Sequence, residues 1–284
     1  IQKLIGGLPP SRQRPDEPAA ERRKRNFGTL ATASSISSFA GPLLAGWGMD
    51  HLSAGTVFGL LAVLPLLAWA LSASWQIPPG PAPAASAGPA TAAAPTTSHV
   101  RSPLLARALW PLAVAIVMLT AAGDALSFLT PIIGQQHGLS ATAVGGIVSA
   151  FAVGTFVIRL FSGLFIAKLP EWMYLSLTLV ACAALLLLYA QVSTALALAA
   201  ISFVLGAWLG LAQPMTQSLL HHSVPDHRLG EALGTRLALV GGAQATSPLV
   251  LGLGAQALGI GWTLALIGLV LVGSGVYVAR AAKA

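Results

Sequence analysis

Charged residues are scarce in this chain of 284 residues. They make up 8% of the sequence and hydrophobic residues 55%, whereas a soluble domain carries about 25% charged residues. So few charges exclude a surface that faces water on all sides, and most of the outer surface must face lipid. Cysteine is almost absent too, because Cys182 is the only one, and this excludes a disulfide framework.

Long apolar runs are what the sequence has in abundance. A membrane-spanning helix needs about 20 apolar residues, and eight runs reach that length. In lipid the backbone polar groups must be paired within each segment, so each run is predicted to be a helix. The fold class is therefore an all-α polytopic membrane protein. The predicted spans are 27–48, 54–74, 108–133, 141–166, 171–190, 194–219, 232–256 and 259–279.

Lysine and arginine mark one side of the membrane. They occur before the first span at 22–25, before the third at Arg107, after the fourth at Lys168, after the sixth at Arg228, and at Arg280. Loops that carry these residues stay in the cytoplasm. The net charge of +7 therefore indicates orientation rather than nucleic-acid binding. The remaining breaks, which lack both residues, are 49–53, 134–140, 191–193 and 257–258.

One break is much longer than the others. Residues 76–106 are rich in Pro, Ala, Gly, Ser and Thr, a composition that forms a flexible linker rather than a packed core. The alternation of charged breaks places this linker and both termini in the cytoplasm. We divide the chain into a cytoplasmic segment with two helices at 1–75, the linker at 76–106, and a six-helix half at 107–284.

A stretch of this sequence occurs twice. Residues 22–60 recur at 228–266, a shift of 206 positions, with 10 identities in 39 positions and no gap. Both copies begin on the cytoplasmic side, so the repeat is parallel and its period is six spans. Two six-helix halves need twelve helices, and we expect four more to precede this chain. The first-copy members of the identical pairs are Arg22, Gly28, Thr29, Pro42, Leu43, Gly46, Gly48, Leu52, Gly55 and Leu60.

This organisation resembles the major facilitator superfamily, in which two parallel six-helix halves are joined by a long cytoplasmic linker. The resemblance implies that the spans are helices 5 to 12 of twelve. The first span also resembles the helix-5 motif of the proton-coupled antiporter branch, although Ser37 and Ala45 replace two of its glycines. Small residues let helices approach closely, and proline bends a helix. The motif positions are Gly28, Ser37, Gly41, Pro42, Ala45 and Gly46.

A second motif, after the fourth span, resembles the C-terminal copy of the superfamily's loop between helices 2 and 3. Its positions are Arg159, Gly163 and Lys168, with Ala167 where the motif has aspartate. The resemblance implies a place at the cytoplasmic gate, where Arg159 anchors its helix or gates access. Arg236, in the seventh span, is expected at the same mouth or paired with Glu231.

Asp124 is the one acidic residue well inside a span. A carboxylate in the membrane is costly and usually functional, so we predict that Asp124 carries a proton or contacts a cationic substrate. The alternative is that it is hydrated near the outer end or bonded to Ser127. Ser127 and Thr130, three and six residues further on, are predicted to share its face.

The sixth span contains a second polar cluster around a proline. Gln213 and Gln217 flank Pro214, and a proline leaves the carbonyl four residues earlier without its helical partner. Transporter sites often use such features, so both glutamines are candidate substrate or proton-coupling residues. The alternative is a kink stabilised by hydrogen bonds between helices.

These observations favour a secondary active transporter of a small organic solute in a bacterial inner membrane, working by proton-coupled efflux and alternating access, and monomeric when full length. A proton-coupled uptake symporter, a non-functional fragment and a non-transporting membrane protein remain alternatives. An enzyme is disfavoured, since the spans hold essentially one acid and two arginines rather than a cluster of catalytic residues. No phosphate-binding loop or dinucleotide fingerprint occurs, so coupling to an ion gradient is expected rather than ATP-driven transport. We expect no cofactor, and no metal at His221, His222 and His227, which have no Cys or acidic ligand nearby beyond Asp226.

Overall fold

The computed structural model of the chain describes residues 36–73, 109–161, 170–225 and 228–281. Regular structure in these ranges is helical throughout, as the sequence predicts. Seven of the helices are long and apolar enough to cross a membrane. The helices are α1 (described over 36–51), α2 (Ala54–Ala73), α3 (Trp110–Gln136), α4 (Ala141–Leu160), α5 (Glu171–Tyr189), α6 (Ala195–Ser223), α7 (Leu229–Leu258) and α8 (Ile260–Ala281).

Local chemistry sets where several helices begin and end. The hydroxyl of Ser140 accepts a hydrogen bond from the Ala143 amide at 3.1 Å and caps the start of α4, as serine does at helix N-termini. α7 ends at Gly259, whose φ of 84° lies in the region that favours glycine. α8 begins at the very next residue, so a single glycine connects the last two helices.

The described residues form two compact units. One consists of residues 36–37 and 52–73 and contains α2, which is apolar along its whole length. Its large side chains are exposed, among them Leu64 and Trp69. This is the surface expected of a helix in contact with lipid.

The second unit comprises residues 38–51 and helices α3 to α8. Its core lies between α3, α5 and α6, where Leu126, Leu175, Tyr189 and Leu205 are almost fully buried. This core is continuous from one end of the helices to the other. It provides the rigid frame on which the polar residues of the membrane interior are placed.

Glycines allow α4 and α6 to approach until their backbones touch. A Cβ atom at Gly154 would overlap the carbonyl of Phe203, and one at Gly206 would overlap that of Phe151. Contacts advance together along both helices, from Phe151 with Gly206 to Thr155 with Gly210, so the two helices are parallel. The distribution of Lys and Arg also predicts that the fourth and sixth spans cross the membrane in the same direction.

The two copies of the repeat also share a structural detail. Pro42 lies in α1 and Pro248 in α7, and each is followed four residues later by a glycine that contacts a neighbouring helix. Gly46 packs against α4, and Gly252 faces Phe128 of α3. In both copies, therefore, the glycine one turn after the proline lies at a contact with a neighbouring helix.

Candidate functional site

Asp124 lies at about the middle of α3, half-buried against α7. Its Oδ2 atom is buried and has no hydrogen-bond partner among the described residues. The hydroxyl of Ser247 on α7 interacts with the carboxylate, and Phe128 faces Gly252 one turn further along both helices. The site therefore consists of a carboxylate and a hydroxyl held between two closely packed, parallel helices, and one carboxylate oxygen has no partner among the described residues.

Ser247 was not predicted as a site residue, although its position in the chain gave an indication. It directly precedes Pro248 in the middle of α7, and a hydroxyl beside a proline in a membrane helix is a common way to supply polar groups. Ser247 is itself buried. Its partner depends on the packing of α7 against α3, which no local sequence pattern specifies.

The structure separates the two hydroxyl residues that were expected to accompany Asp124. Ser127 is exposed and donates to the Gly123 carbonyl at 3.1 Å. Thr130 is buried, donates to Leu126 at 2.6 Å, and its hydroxyl lies 2.8 Å from that of Tyr189 on α5. The prediction that Thr130 shares the face of Asp124 is wrong, because six residues at 3.6 per turn place it about a third of a turn away.

Arg159 and Gln213, assigned from sequence to different sites, are in direct contact. The Nη2 atom of Arg159 donates to Oε1 of Gln213 at 2.9 Å, and its Nε donates to the Gly210 carbonyl at 3.0 Å. Gln217 lies one turn beyond Gln213 on α6 and is half-buried. The other two positions of the motif that contains Arg159, 163 and 168, lie outside the described residues.

Arg236 is buried near the start of α7, and its Nε atom has no partner in the described part of the chain. The expected pairing with Glu231 is not what the structure contains. Glu231 instead forms an ion pair with Arg228 at 3.1 Å. Residues three apart face each other on a helix, whereas residues five apart, such as 231 and 236, point in different directions.

The helix-5 motif is partly described, since position 28 lies outside the described residues. Pro42 and Gly46 contact α4 directly: a Cβ atom at Gly145 would overlap the Pro42 carbonyl, and one at Gly46 would overlap the carbonyl of Ala141. Ser149 of α4 also donates to the Phe39 carbonyl at 2.7 Å. The other described motif positions are less buried: Ser37 and Gly41 are exposed, and Ala45 is half-buried.

Asp50, at the end of α1, is a residue that the sequence analysis missed. Its carboxylate accepts hydrogen bonds from the amides of Ala141, at 2.9 Å, and Thr142, at 2.7 Å. Bonds from the hydroxyl and amide of Thr142, with smaller contributions from Ala141 and Ser140, lower the pKa of Asp50 to about 2. An anion from α1 thus caps the N-terminus of α4, where a negative charge is stabilised.

The described residues contain no group of three or more His, Cys, Asp or Glu side chains that fits a metal ion. His221 and His222 lie at the end of α6, whereas position 227 is outside the described part of the chain.

Comparison with known proteins agrees with this architecture. A sequence model of the Major Facilitator Superfamily matches residues 18–171 and 112–283. A search of curated proteins gives no match. The two matched stretches take in most of the chain, and seven described helices are long and apolar enough to span a bilayer. The chain is a multi-pass membrane protein and belongs to the Major Facilitator Superfamily of transporters.

Proposed function

We propose that this transporter exports a small organic solute in exchange for protons, by alternating access. The observation that carries the proposal is the carboxylate of Asp124 in the middle of a membrane helix, with one oxygen buried and unpaired among the described residues. An ionisable group inside a membrane protein is usually part of a substrate or ion pathway. Binding a proton removes the charge, and release restores it, which couples the group to a proton gradient.

The export direction is supported by the contact between α1 and α4. The motif around Pro42 and Gly46 resembles the one found in the antiporter branch, and both residues lie against α4. A bacterial inner membrane, cytoplasmic termini and a monomeric state complete the proposal. The cytoplasmic termini rest on the distribution of Lys and Arg in the sequence, whereas the membrane and the monomeric state follow from the resemblance to the superfamily.

The first experiment replaces Asp124 by asparagine, which keeps the shape of the side chain and removes its titration. Everted membrane vesicles carry an imposed pH gradient, reported by an acridine dye, and a panel of small organic cations and neutral compounds is added. A compound that is exported by exchange releases protons and dissipates the gradient. We expect Asp124→Asn to abolish this release for every compound that is active with the unchanged chain.

The matched control is Glu171→Gln, which removes a carboxylate from the first turn of α5 instead. It should release protons as the unchanged chain does, and both variants should reach the membrane in equal amounts. If Asp124→Asn still transports with the same pH dependence, Asp124 has no part in coupling, and the proposal loses its main support.

A further inference from the structure

Pro214 interrupts the hydrogen bonding of α6. It lies inside this helix of 29 residues, and a proline has no amide hydrogen to offer the carbonyl four residues earlier. That carbonyl belongs to Gly210. Within a bilayer there is no water to replace the missing bond, so the carbonyl needs a donor from elsewhere in the protein.

Arg159 of α4 supplies that donor. Its Nε atom lies 3.0 Å from the Gly210 oxygen, and the same guanidinium reaches Oε1 of Gln213 at 2.9 Å. Guanidinium groups hold several N–H donors in a fixed planar arrangement, which suits two acceptors at once. The Arg159 side chain therefore contacts both the Gly210 carbonyl, which Pro214 leaves without its helical partner, and the side chain of Gln213, the residue directly before Pro214.

The packing of the two helices places Arg159 at this position. Thr155, one turn earlier on α4, donates to the Gly206 carbonyl at 3.1 Å, one turn earlier on α6. Gly210 itself lies so close to α4 that a Cβ atom would overlap a methyl group of Ile158. Thr155 and Arg159, one turn apart on α4, thus donate to two carbonyls that lie one turn apart on α6. The second carbonyl, that of Gly210, is the one that Pro214 leaves without a helical partner.

We propose that Arg159 is a positioning residue that replaces the amide missing at Pro214. It joins α4 to α6 so that the two helices move as one body. It also holds the amide oxygen of Gln213, which leaves the NH2 group of Gln213 as the donor free to face a solute. This assignment differs from a role for Arg159 as an interfacial anchor or as a freely moving gate, because neither depends on the proline.

The test is a double-mutant cycle between Arg159 and Pro214. Arg159→Met keeps an unbranched side chain and removes the donors, while Pro214→Ala restores an amide at position 214 and with it the helical bond to Gly210. The readout is the midpoint of thermal unfolding of the whole chain in detergent, at one fixed heating rate. Cys182 serves as the reporter, because it is the only cysteine and is buried, and a maleimide dye reaches it on unfolding.

We expect Arg159→Met to lower the midpoint by about 5 °C, since a hydrogen bond from a charged group is lost and a buried carbonyl is left unpaired. In the Pro214→Ala background, the same change should lower it by less than half as much. Pro248→Ala in α7 is the matched control, because it also restores an amide to a membrane helix. It should leave the effect of Arg159→Met unchanged.

The proposal would be overturned if Arg159→Met lowered the unfolding midpoint equally with Pro214 and with Ala at position 214. It would also be overturned if Pro248→Ala reduced the effect of Arg159→Met as much as Pro214→Ala does. If Arg159→Met is not recovered folded, Arg159→Lys takes its place in the same cycle. No transported solute is needed, so the result is independent of whether Asp124 couples transport to protons. A side chain that only fills space would not respond to an amide restored at position 214.

Discussion

At the scale of single residues, the charge of Asp50 makes stability depend on pH in a defined direction. Its pKa is lowered from 3.8 to about 2 by hydrogen bonds from Thr142 and Ala141. A carboxyl whose pKa is lower in the folded state stabilises that state fully above its unfolded pKa. The contribution is lost as the pH falls through the folded value, so the window lies between about 4 and 2.

We therefore expect Asp50→Asn to unfold more easily than the unchanged chain at neutral pH, because an amide presents only one acceptor to the two N–H groups of α4. The difference should narrow between pH 4 and pH 2, where the carboxyl of the unchanged chain takes up a proton. Tryptophan fluorescence during denaturant unfolding, with seven tryptophans as reporters, measures both chains. A difference that stays constant down to pH 2 would contradict the assigned role of the charge.

Residue types alone indicated some of these sites and not others. Asp124 and the carbonyl freed by Pro214 follow from the sequence, because an acid or a proline inside an apolar run is visible without a fold. The donor to that carbonyl, Arg159, lies 51 positions from Gly210. The two residues are in contact only because of how α4 packs against α6, which the sequence does not specify. The role of Asp50 was hidden for the same reason, since its partners lie on α4.

At the scale of helices, the contact between α1 and α4 depends on one glycine far more than on its neighbour in the motif. A Cβ atom at Gly46 would overlap the backbone of Ala141, whereas one at Gly41 would have nothing within 4 Å. We expect Gly46→Ala to destabilise the chain by about 1–3 kcal/mol, the usual cost of overpacking. Gly41→Ala should be neutral or slightly stabilising, because alanine favours helix.

Thermal unfolding reported by Cys182 compares these two variants directly. Both add one methyl group to α1, so a difference between them measures the contact with α4 rather than the change in helix propensity. Equal midpoints for Gly46→Ala and Gly41→Ala would mean that α1 and α4 are not held at the distance described here.

Hydropathy located the seven spans that the described residues contain at full length, because a membrane helix must be long, apolar and internally hydrogen-bonded. Their ends were less accurate. The predicted sixth and seventh spans, 194–219 and 232–256, correspond to the longer helices α6 and α7, which end at Ser223 and Leu258. Hydropathy weakens at polar turns such as those around His221 and Gln256, whereas a helix continues until its backbone is capped, as at Gly259.

At the scale of the whole molecule, the distribution of Lys and Arg predicts which side of the membrane each break occupies. We expect His137→Cys, in the break between α3 and α4, to react with an impermeant maleimide on intact bacterial cells. Ser86→Cys, in the segment 76–106, should react only in everted vesicles. Cys182 is buried and provides the background for both measurements.

Labelling of both positions from the same side would overturn the predicted alternation, because an odd number of spans separates them. Labelling of each from the opposite side to the one expected would keep the alternation and invert the whole chain in the membrane. The second result would also place Asp50 and the start of α4 on the cytoplasmic side.

The single-residue connection at Gly259 has a consequence for how the chain is made. Leu258 ends α7 and Ile260 begins α8, and the two helices pack against each other. A connection this short leaves little chain for the two helices to insert one at a time. We therefore expect the last two helices to enter the bilayer together as a hairpin, and a protease to find little chain between them to cut.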